Sequence, residues 1–282
     1  MAALLALLSA LTYGTGDFLG GLAARRVGTS WNVVVTSQLF GLVVAIAILP
    51  VASGTGPTVH DLAWGAAGGL AGALALVCFY AALAMGIMSL VAPTTAACSA
   101  IVPVVVGVAK GERPSPLAFA GVILALGAIV LFGLQPHTHV RPDAVARRRT
   151  LALSLGAGVG FGIFFVFLHE ARQNTGLWPI VGARATSLVA LVIVGYATGQ
   201  RLGVDRPHWP IVMGAGVADM SANALYLLAS RRGLLALVAV ISALYPASTI
   251  VLAVTILRER LRRPHVLALT IAAAAVVLIA LA

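Results

Sequence analysis

The sequence predicts an all-α integral membrane protein with ten transmembrane helices, arranged as two inverted five-helix repeats. The first supporting observation is composition. Hydrophobic residues make up 61% of the chain and charged residues 9%, whereas soluble domains carry roughly 25% charged residues. Such a chain would expose aggregation-prone surface in water, but a bilayer solvates it. The second observation is length, because 282 residues have room for about ten spans of about twenty residues.

The third observation is an internal repeat between residues 79–134 and residues 225–281. Each stretch contains the end of one apolar span, a turn with a glycine, a long apolar span, a charged knot with a glutamate, and a closing span. A repeated arrangement of this kind in an apolar chain indicates duplication, which is common in secondary transporters.

The spacing within the repeat is fixed, since Gly86 precedes Glu112 by the same distance as Gly233 precedes Glu259. Five spans in each half is an odd number, so the second half must enter the membrane in the opposite orientation. The predicted organisation is a first repeat over residues 1–134, a polar linker over 135–150, and a second repeat over 151–282.

The ten predicted spans follow the apolar runs of the sequence. The first has no Lys or Arg before its apolar run and no convincing cleavage site, so we interpret it as a retained span rather than a signal peptide. Pro136 and Pro142 stop helix continuation in the linker. The spans cover about residues 2–23, 31–52, 62–84, 87–109, 115–134, 151–171, 177–198, 209–229, 233–256 and 264–281.

Several spans are rich in Gly and Ala, which allow helix backbones to approach closely. Gly65 and Gly69 are one pair of small residues four apart, and the run GAGVGFG at 156–162 holds two more. That run has the composition of a dinucleotide-binding loop, but no strand precedes it and it lies in an apolar span. Close helix packing is therefore the favoured interpretation.

Polar residues inside the spans are the main functional clues, because ionisable groups at membrane depth are costly unless they line a cavity or find a partner. Asp219, Asn223 and Tyr226 in the eighth span, followed by Ser230, lie on one helix face. Such a stripe is typical of the wall of a water-accessible cavity. The structural alternative is hydrogen bonding between helices.

The first span carries a similar stripe, formed by Ser9, Tyr13 and Asp17 at four-residue steps. The same two interpretations apply, and Asp17 stands nearer a membrane face. Arg184 in the seventh span could pair with Asp219 or Asp17, attract an anionic substrate group, or extend towards the interface. Residues 169–170, His and Glu, close the sixth span at the predicted interface.

The fourth and ninth spans contain prolines, which free backbone carbonyls. They also carry polar residues at helical spacing and are candidates for the sides of a central pathway, although a proline kink is often purely structural. The candidates in the fourth span are Thr95 and Ser99, beside Pro93 and Pro103; those in the ninth are Ser242, Tyr245 and Thr249, beside Pro246.

Other functional classes have little support in the sequence. We find no nucleophile elbow, no HExxH motif and no carboxylate pair at acid–base spacing, so no catalytic residue, metal site or cofactor is predicted. Cys78 and Cys98 lie inside apolar spans and imply no disulfide framework. The net charge of +10 comes from scattered clusters without interleaved aromatics, which favours contact with anionic lipid over nucleic acid. Glu112 and Glu259 are interpreted as interfacial ion pairs or helix-terminus anchors.

The arrangement of turn, proline-containing span, Gly-Glu-Arg-like knot and closing span resembles the EamA-type repeat of the drug/metabolite transporter (DMT) superfamily. The knots here are Lys110-Gly111-Glu112-Arg113 and Leu257-Arg258-Glu259-Arg260. Pro246 stands thirteen residues before Glu259, at the family's usual spacing, whereas Ser99 holds that position in the first half.

The resemblance implies a ten-helix bundle of two inverted EamA-like repeats that works by alternating access. Family members tend to export amino acids, other metabolites or toxic compounds, either coupled to protons or as facilitators. The expected setting is the plasma membrane, with a small-molecule substrate and a monomeric or homodimeric state. The family offers no universal binding signature, so the cavity candidates remain those named above.

The orientation of the termini is a conflict between two indicators. The loops after odd-numbered spans hold about twelve Lys and Arg residues and the others about five, which would place both termini outside by the positive-inside rule. The resemblance places them inside, and we favour that arrangement.

Two other functions remain as alternatives: a membrane-embedded enzyme acting on lipid-linked material, which would need a cluster such as His137, His139 and Asp143, and a non-transporting partner in a larger complex.

Overall fold

The computed structural model describes residues 1–27, 30–52, 56–85, 88–132, 144–171, 175–200, 203–258 and 263–282. Regular structure in these ranges is helical. The helices are α1 (Ala2–Val27), α2 (Ser30–Ala52), α3 (Val59–Ala84), α4 (Met88–Ala109), α5 (Pro116–Phe132), α6 (Ala144–Glu170), α7 (Trp178–Ala197), α8 (Trp209–Ser230, preceded by a 3₁₀ turn at Arg206–His208), α9 (Leu235–Ser242), α10 (Tyr245–Ile256) and α11 (Arg263–Leu281).

Within the described residues, nine helical stretches are long and apolar enough to cross a membrane. One of them, Leu235–Ile256, combines α9 and α10. Helix α5 is apolar but has 17 residues, and at 1.5 Å per residue it is about 26 Å long, slightly less than the roughly 30 Å hydrocarbon core of a bilayer. The all-helical membrane class is therefore confirmed, and ten complete spans stay a prediction.

Helix α6 begins at Ala144, within the stretch 135–150 that was predicted as a polar linker. Residues 144–150 are mostly Ala and Arg, which favour helix, and Arg147, Arg148 and Arg149 are exposed there. The apolar limits of a span therefore underestimate the length of its helix. The linker prolines and the cluster of His137, His139 and Asp143 lie outside the described residues.

The predicted ninth span, 233–256, is divided in the structure. Helix α9 ends at Ser242, a turn covers Ala243 and Leu244, and α10 begins at Tyr245. Pro246 is the second residue of α10, and because it has no N–H it cannot bond to the carbonyl of Ser242, four residues before it. The kink expected at this proline is thus a full break between two helices.

The two halves of the chain have matching helix boundaries at an offset of 147 residues. Helix α4, Met88–Ala109, corresponds in this way to Leu235–Ile256, and α3, Val59–Ala84, corresponds to the 3₁₀ turn with α8. The packing follows the same rule. Helix α1 packs on α8 as α6 packs on α3, α2 packs on α8 as α7 packs on α3, and α5 packs on α11. Exchanging the halves leaves this set of neighbours unchanged.

Close helix packing depends on the glycines identified in the sequence. A Cβ atom at Gly65 or Gly69 of α3 would overlap the backbone of α7 at Pro179 or Ala183. The GAGVGFG run lies within α6, where a Cβ at Gly158 would overlap α4. The packing interpretation of that run is therefore confirmed.

The outer surface of the bundle is apolar. Val43, Ile123 and Ile193 are 54%, 59% and 61% exposed, as expected of side chains that lipid solvates. Buried positions are instead dominated by alanine and other small residues, which brings the helices together around a central cavity.

Candidate substrate cavity

A cavity of about 130 Å³ lies between α1, α2, α3, α6, α7 and α8. Asp219 occupies the middle of α8, with ten residues before it in the helix and eleven after it, so the cavity lies at the depth expected for the centre of the bundle. Its walls are formed by Tyr13, Gln38, Gly69, Gly72, Leu76, Phe161, Phe164, Phe165, Ile180, Ala183, Arg184, Ser187, Asp219 and Asn223.

An ion pair between α7 and α8 is the principal electrostatic feature of this cavity. The guanidinium of Arg184 donates one hydrogen bond to Oδ2 of Asp219 and another to Oε1 of Gln38. The Arg184 side chain is 6% exposed, whereas that of Asp219 is 40% exposed. The positive charge is therefore enclosed and paired with its neighbours, while part of the Asp219 side chain is open.

A second polar contact joins α1 to α8 beside the ion pair. The hydroxyl of Tyr13 donates to Oδ1 of Asn223 at 2.8 Å, and Nδ2 of Asn223 donates to the backbone carbonyl of Asp219 at 2.7 Å. The Asn223 amide is consequently fixed in orientation. It extends the polar wall from the ion pair to the first helix.

The rest of the cavity lining is mostly apolar and aromatic. Phe161, Phe164 and Phe165 of α6 contribute to it, together with Gly72 and Leu76 of α3. The rings of Phe164 and Phe165 have centroids 5.4 Å apart. The cavity thus combines polar groups with an aromatic wall from α6.

Four of the ten residues predicted from sequence line the cavity: Tyr13, Arg184, Asp219 and Asn223. Of the alternatives for Arg184, the structure has pairing with Asp219. Its burial is incompatible with extension towards the interface.

Three further candidates lie near the cavity without lining it. Tyr226 is fully buried, with its ring 4.5 Å from that of Phe165, so it packs behind the aromatic wall. The ring of Tyr245 is 6.3 Å from that of Tyr13. Asp17 lies one turn from Tyr13 along α1, is exposed, and forms no hydrogen bond or ion pair with another described residue.

The remaining candidates follow the structural alternative rather than the cavity interpretation. Thr95 donates to the carbonyl of Ser154 at 3.2 Å, and Ser242 donates to that of Ala6 at 3.4 Å, so both tie helices together. Ser99 donates to the carbonyl of Ala96 in its own helix. Their helical spacing therefore reflects packing in α4 and α9.

Sequence reasoning did not single out Gln38, Ser187 or the phenylalanines of α6 as cavity residues. Gln38 is a lone amide in an apolar span and forms no stripe. Ser187 stands three residues after Arg184, a spacing that could have indicated a shared face. The phenylalanines have no sequence signal that separates a cavity wall from a lipid-facing surface.

One end of the bundle is held together by Glu112. Its carboxylate accepts hydrogen bonds from the backbone N–H groups of Leu235 and Ala236, at 2.5 and 3.0 Å. A carboxylate at a helix N-terminus satisfies free N–H groups and complements the helix dipole. The helix-terminus interpretation of Glu112 is confirmed, while Glu259 lies outside the described residues.

Lys110 and Glu170 form an ion pair at the same end, which gives Glu170 a partner at the predicted interface.

Comparisons with known proteins agree with this architecture. No curated protein matches the sequence significantly. A protein in a solved crystal structure has a similar backbone, with a TM-score of 0.78 and 17% identity over 99% of this chain and 96% of that chain; at this level of identity, the likeness shows the fold alone. Residues 148–281 match the model of the EamA-like transporter family. The second half of the chain is therefore similar to the EamA-like transporter family, within the DMT superfamily, and the apolar helices of the described residues are those of a multi-pass membrane protein.

Proposed function

We propose that this protein is a secondary transporter that exports a small molecule across the plasma membrane by alternating access. The observation that carries the proposal is the central cavity. It contains a buried ion pair between Arg184 and Asp219, and charges at membrane depth are characteristic of substrate and ion pathways.

The proposed motion is a rocking of two inverted five-helix repeats around this cavity. Support comes from the matching helix boundaries and from a set of neighbours that is unchanged when the halves are exchanged. In inverted-repeat transporters, the substrate lies at the interface between repeats. The polar contacts of the cavity are consistent with that position, because Tyr13 with Asn223, and Gln38 with Arg184, each join the first half to the second.

The described conformation is closed at the Glu112 end. Buried residues there include Leu168, Leu177 and Leu235, and the Glu112 carboxylate joins the loop after α4 to α9. We propose that opening this end requires release of these two hydrogen bonds. Glu112 would then be a positioning residue for the transport cycle.

Coupling to protons is the proposed source of energy. Asp219, or Asp17, would change its protonation or its partner as the repeats move. Asp219 is held by one cation and remains accessible, and Asp17 is exposed. Both carboxylates are therefore open to their surroundings, as the proposed role requires.

The test is flux from liposomes that contain the purified protein. Vesicles are loaded with a mixture of labelled amino acids, organic amines and organic acids, and the solutes released under a pH gradient are identified. We expect pH-dependent release of a subset of the mixture, and strongly reduced release with Asp219→Asn.

The matched control is Asp205→Asn, which makes the same change at an exposed residue before the 3₁₀ turn. Release equal to that of protein-free vesicles for every solute, from correctly folded protein, would contradict transport. Undiminished pH-dependent release with Asp219→Asn would remove this residue from the coupling mechanism.

A further inference from the structure

From the charges and shape of the cavity, we infer that its substrate is a small amphipathic cation: a protonated amine on an apolar body about one ring in size. The inference rests on the proposed transport function and specifies the substrate class of the same cavity. It depends on three features, namely which charge is accessible, where the aromatic side chains lie, and how large the space is.

The accessible charge in the cavity is negative. Arg184 is 6% exposed and its terminal nitrogens donate to Gln38 and Asp219, so an incoming anion would first have to separate these contacts. Asp219 is 40% exposed and its carboxylate has Arg184 on one oxygen, Oδ2. An incoming ammonium group can therefore reach Asp219 without breaking the ion pair.

A second carboxylate, Asp17, lies near the cavity. Asp17 is exposed on α1, one turn from the cavity residue Tyr13, and no cation among the described residues pairs with it. The charged groups on the cavity side of the bundle are thus two carboxylates and one arginine. An uncompensated carboxylate in a low-dielectric region favours a bound cation or a proton.

The apolar part of the lining is suited to a flat apolar group. At the offset that relates the two halves, Gly72 stands where the second half has Asp219, and Leu76 stands where it has Asn223. Helix α8 therefore provides two polar groups at positions where α3 provides an apolar surface beside Phe164. Aromatic rings next to a carboxylate also favour a cation through their negatively polarised faces.

The size of the space limits the apolar body. The cavity measures about 130 Å³, and an engineered apolar cavity of about 150 Å³ holds one benzene molecule. One ring is therefore about the upper limit for the apolar body that this space holds, and a fused two-ring body requires the walls to move.

The experiment measures binding of phenethylamine to the purified full-length protein, in competition with phenylacetate, phenylalanine and phenethyl alcohol. These probes share one ring and differ in charge at the head group. We expect the amine to bind at least about tenfold more tightly than each of the others, and naphthylethylamine to bind more weakly than phenethylamine.

Variants locate the site of binding. Asp219→Asn is expected to weaken amine binding by about thirtyfold, since the charge partner is lost, and Asp219→Glu to restore part of it. The Asp205→Asn variant should bind as the unmodified protein does. Because Asp219→Asn could also unfold the protein, the unfolding temperature of this variant in detergent is measured together with its binding. The comparison of differently charged probes uses the unmodified protein and does not depend on any variant.

Three results would overturn the inference: equal or tighter binding of phenylacetate or phenylalanine, equal binding of the uncharged alcohol, or amine binding that is unaffected by Asp219→Asn in folded protein. Failure of all four probes to bind the folded protein would overturn it as well. These outcomes are distinguishable from failure of the transport proposal, because liposomes that release amino acids or organic acids but no amines would contradict the substrate class and leave transport established.

Discussion

Two corresponding regions of the molecule, α4 and the pair α9–α10, show how one difference in sequence changes a duplicated element. Both cover 22 residues, Met88–Ala109 and Leu235–Ile256, at the offset of 147. Helix α4 is continuous, although it contains Pro93 and Pro103. Its counterpart is broken before Pro246, the position that Ser99 occupies in the first half.

The comparison indicates that a proline breaks a helix here according to its position and not merely its presence. Ser99 keeps its backbone N–H, and its hydroxyl bonds to the carbonyl of Ala96, whereas Pro246 offers no N–H. The broken region also lies near the cavity, because the Tyr245 ring lies 6.3 Å from that of the lining residue Tyr13. The second half therefore has a helix break near the cavity that the first half lacks.

The largest expected effect comes from transferring the break. Ser99→Pro places a proline inside α4 at the position of Pro246, and a proline in a helix interior costs about 3 kcal/mol or more. We expect the free energy of unfolding in detergent to fall by at least this amount. Ser99→Ala is the control and should lose less than about 1 kcal/mol, because its removed hydrogen bond lies within one helix. Equal stability of the two variants would show that the difference at this position does not govern helix continuity.

A smaller effect is expected at the Glu112 anchor. Glu112→Ala leaves the N–H groups of Leu235 and Ala236 without their acceptors, and removing a helix cap typically costs about 1 kcal/mol and at most about 2. Thermal unfolding measures the loss. The comparison variant is Glu170→Ala, which breaks a partly exposed ion pair with Lys110 and should cost about 0–1 kcal/mol.

The same anchor tests whether the two halves are equivalent. The offset of 147 relates Glu112 to Glu259, and Leu235 and Ala236 to Met88 and Ser89 at the start of α4. If the duplication includes the anchor, Glu259→Ala will lower the unfolding temperature to a similar extent as Glu112→Ala. If Glu259→Ala has the same unfolding temperature as the unmodified protein, the carboxylate anchor is present at α9 and has no counterpart at α4.

The smallest effect on stability is expected when the break itself is removed. Pro246→Ala restores a backbone donor for the carbonyl of Ser242 and should change the free energy of unfolding by less than about 1 kcal/mol. Its effect on transport should be larger, because a continuous helix cannot bend beside the cavity. Flux from liposomes would decrease while stability is kept, and unchanged flux would mean that the break has no part in the transport cycle.

Hydrophobicity was sufficient to predict most of the fold from the sequence. The apolar runs predicted the approximate limits of the spans, because they mark the residues that lie within the bilayer. The small residues of α3 and α6 predicted close helix packing at Gly65 and Gly158. The helix break was not predicted as such, because Pro93 and Pro103 carry the same local signal as Pro246 yet lie in a continuous helix. What differs is the position of each proline along its span.

The polar residues of the candidate site were predicted from the sequence, and its aromatic residues were not. Asp219 and Asn223 were recognised because charged and amide groups are scarce in apolar spans. Tyr226 was predicted to lie on the same helix face. Helical periodicity gives the direction of a side chain but does not identify the residue that packs against it, and in the structure that residue is Phe165. The aromatic wall carries no such signal, because a phenylalanine that faces a cavity and one that faces lipid are the same residue in a sequence.

The contacts of Arg184 have a consequence for how occupancy and movement are related. This side chain on α7 holds Gln38 on α2, from the other half, and Asp219 on α8, which borders the empty space. An ammonium group that draws the Asp219 carboxylate towards itself weakens one of these two contacts and leaves the guanidinium more dependent on the other. The contacts of Arg184 that join the two halves thus include a residue of the proposed binding site. If the proposed transport cycle is right, binding of an amine at Asp219 changes how firmly the two halves are held together.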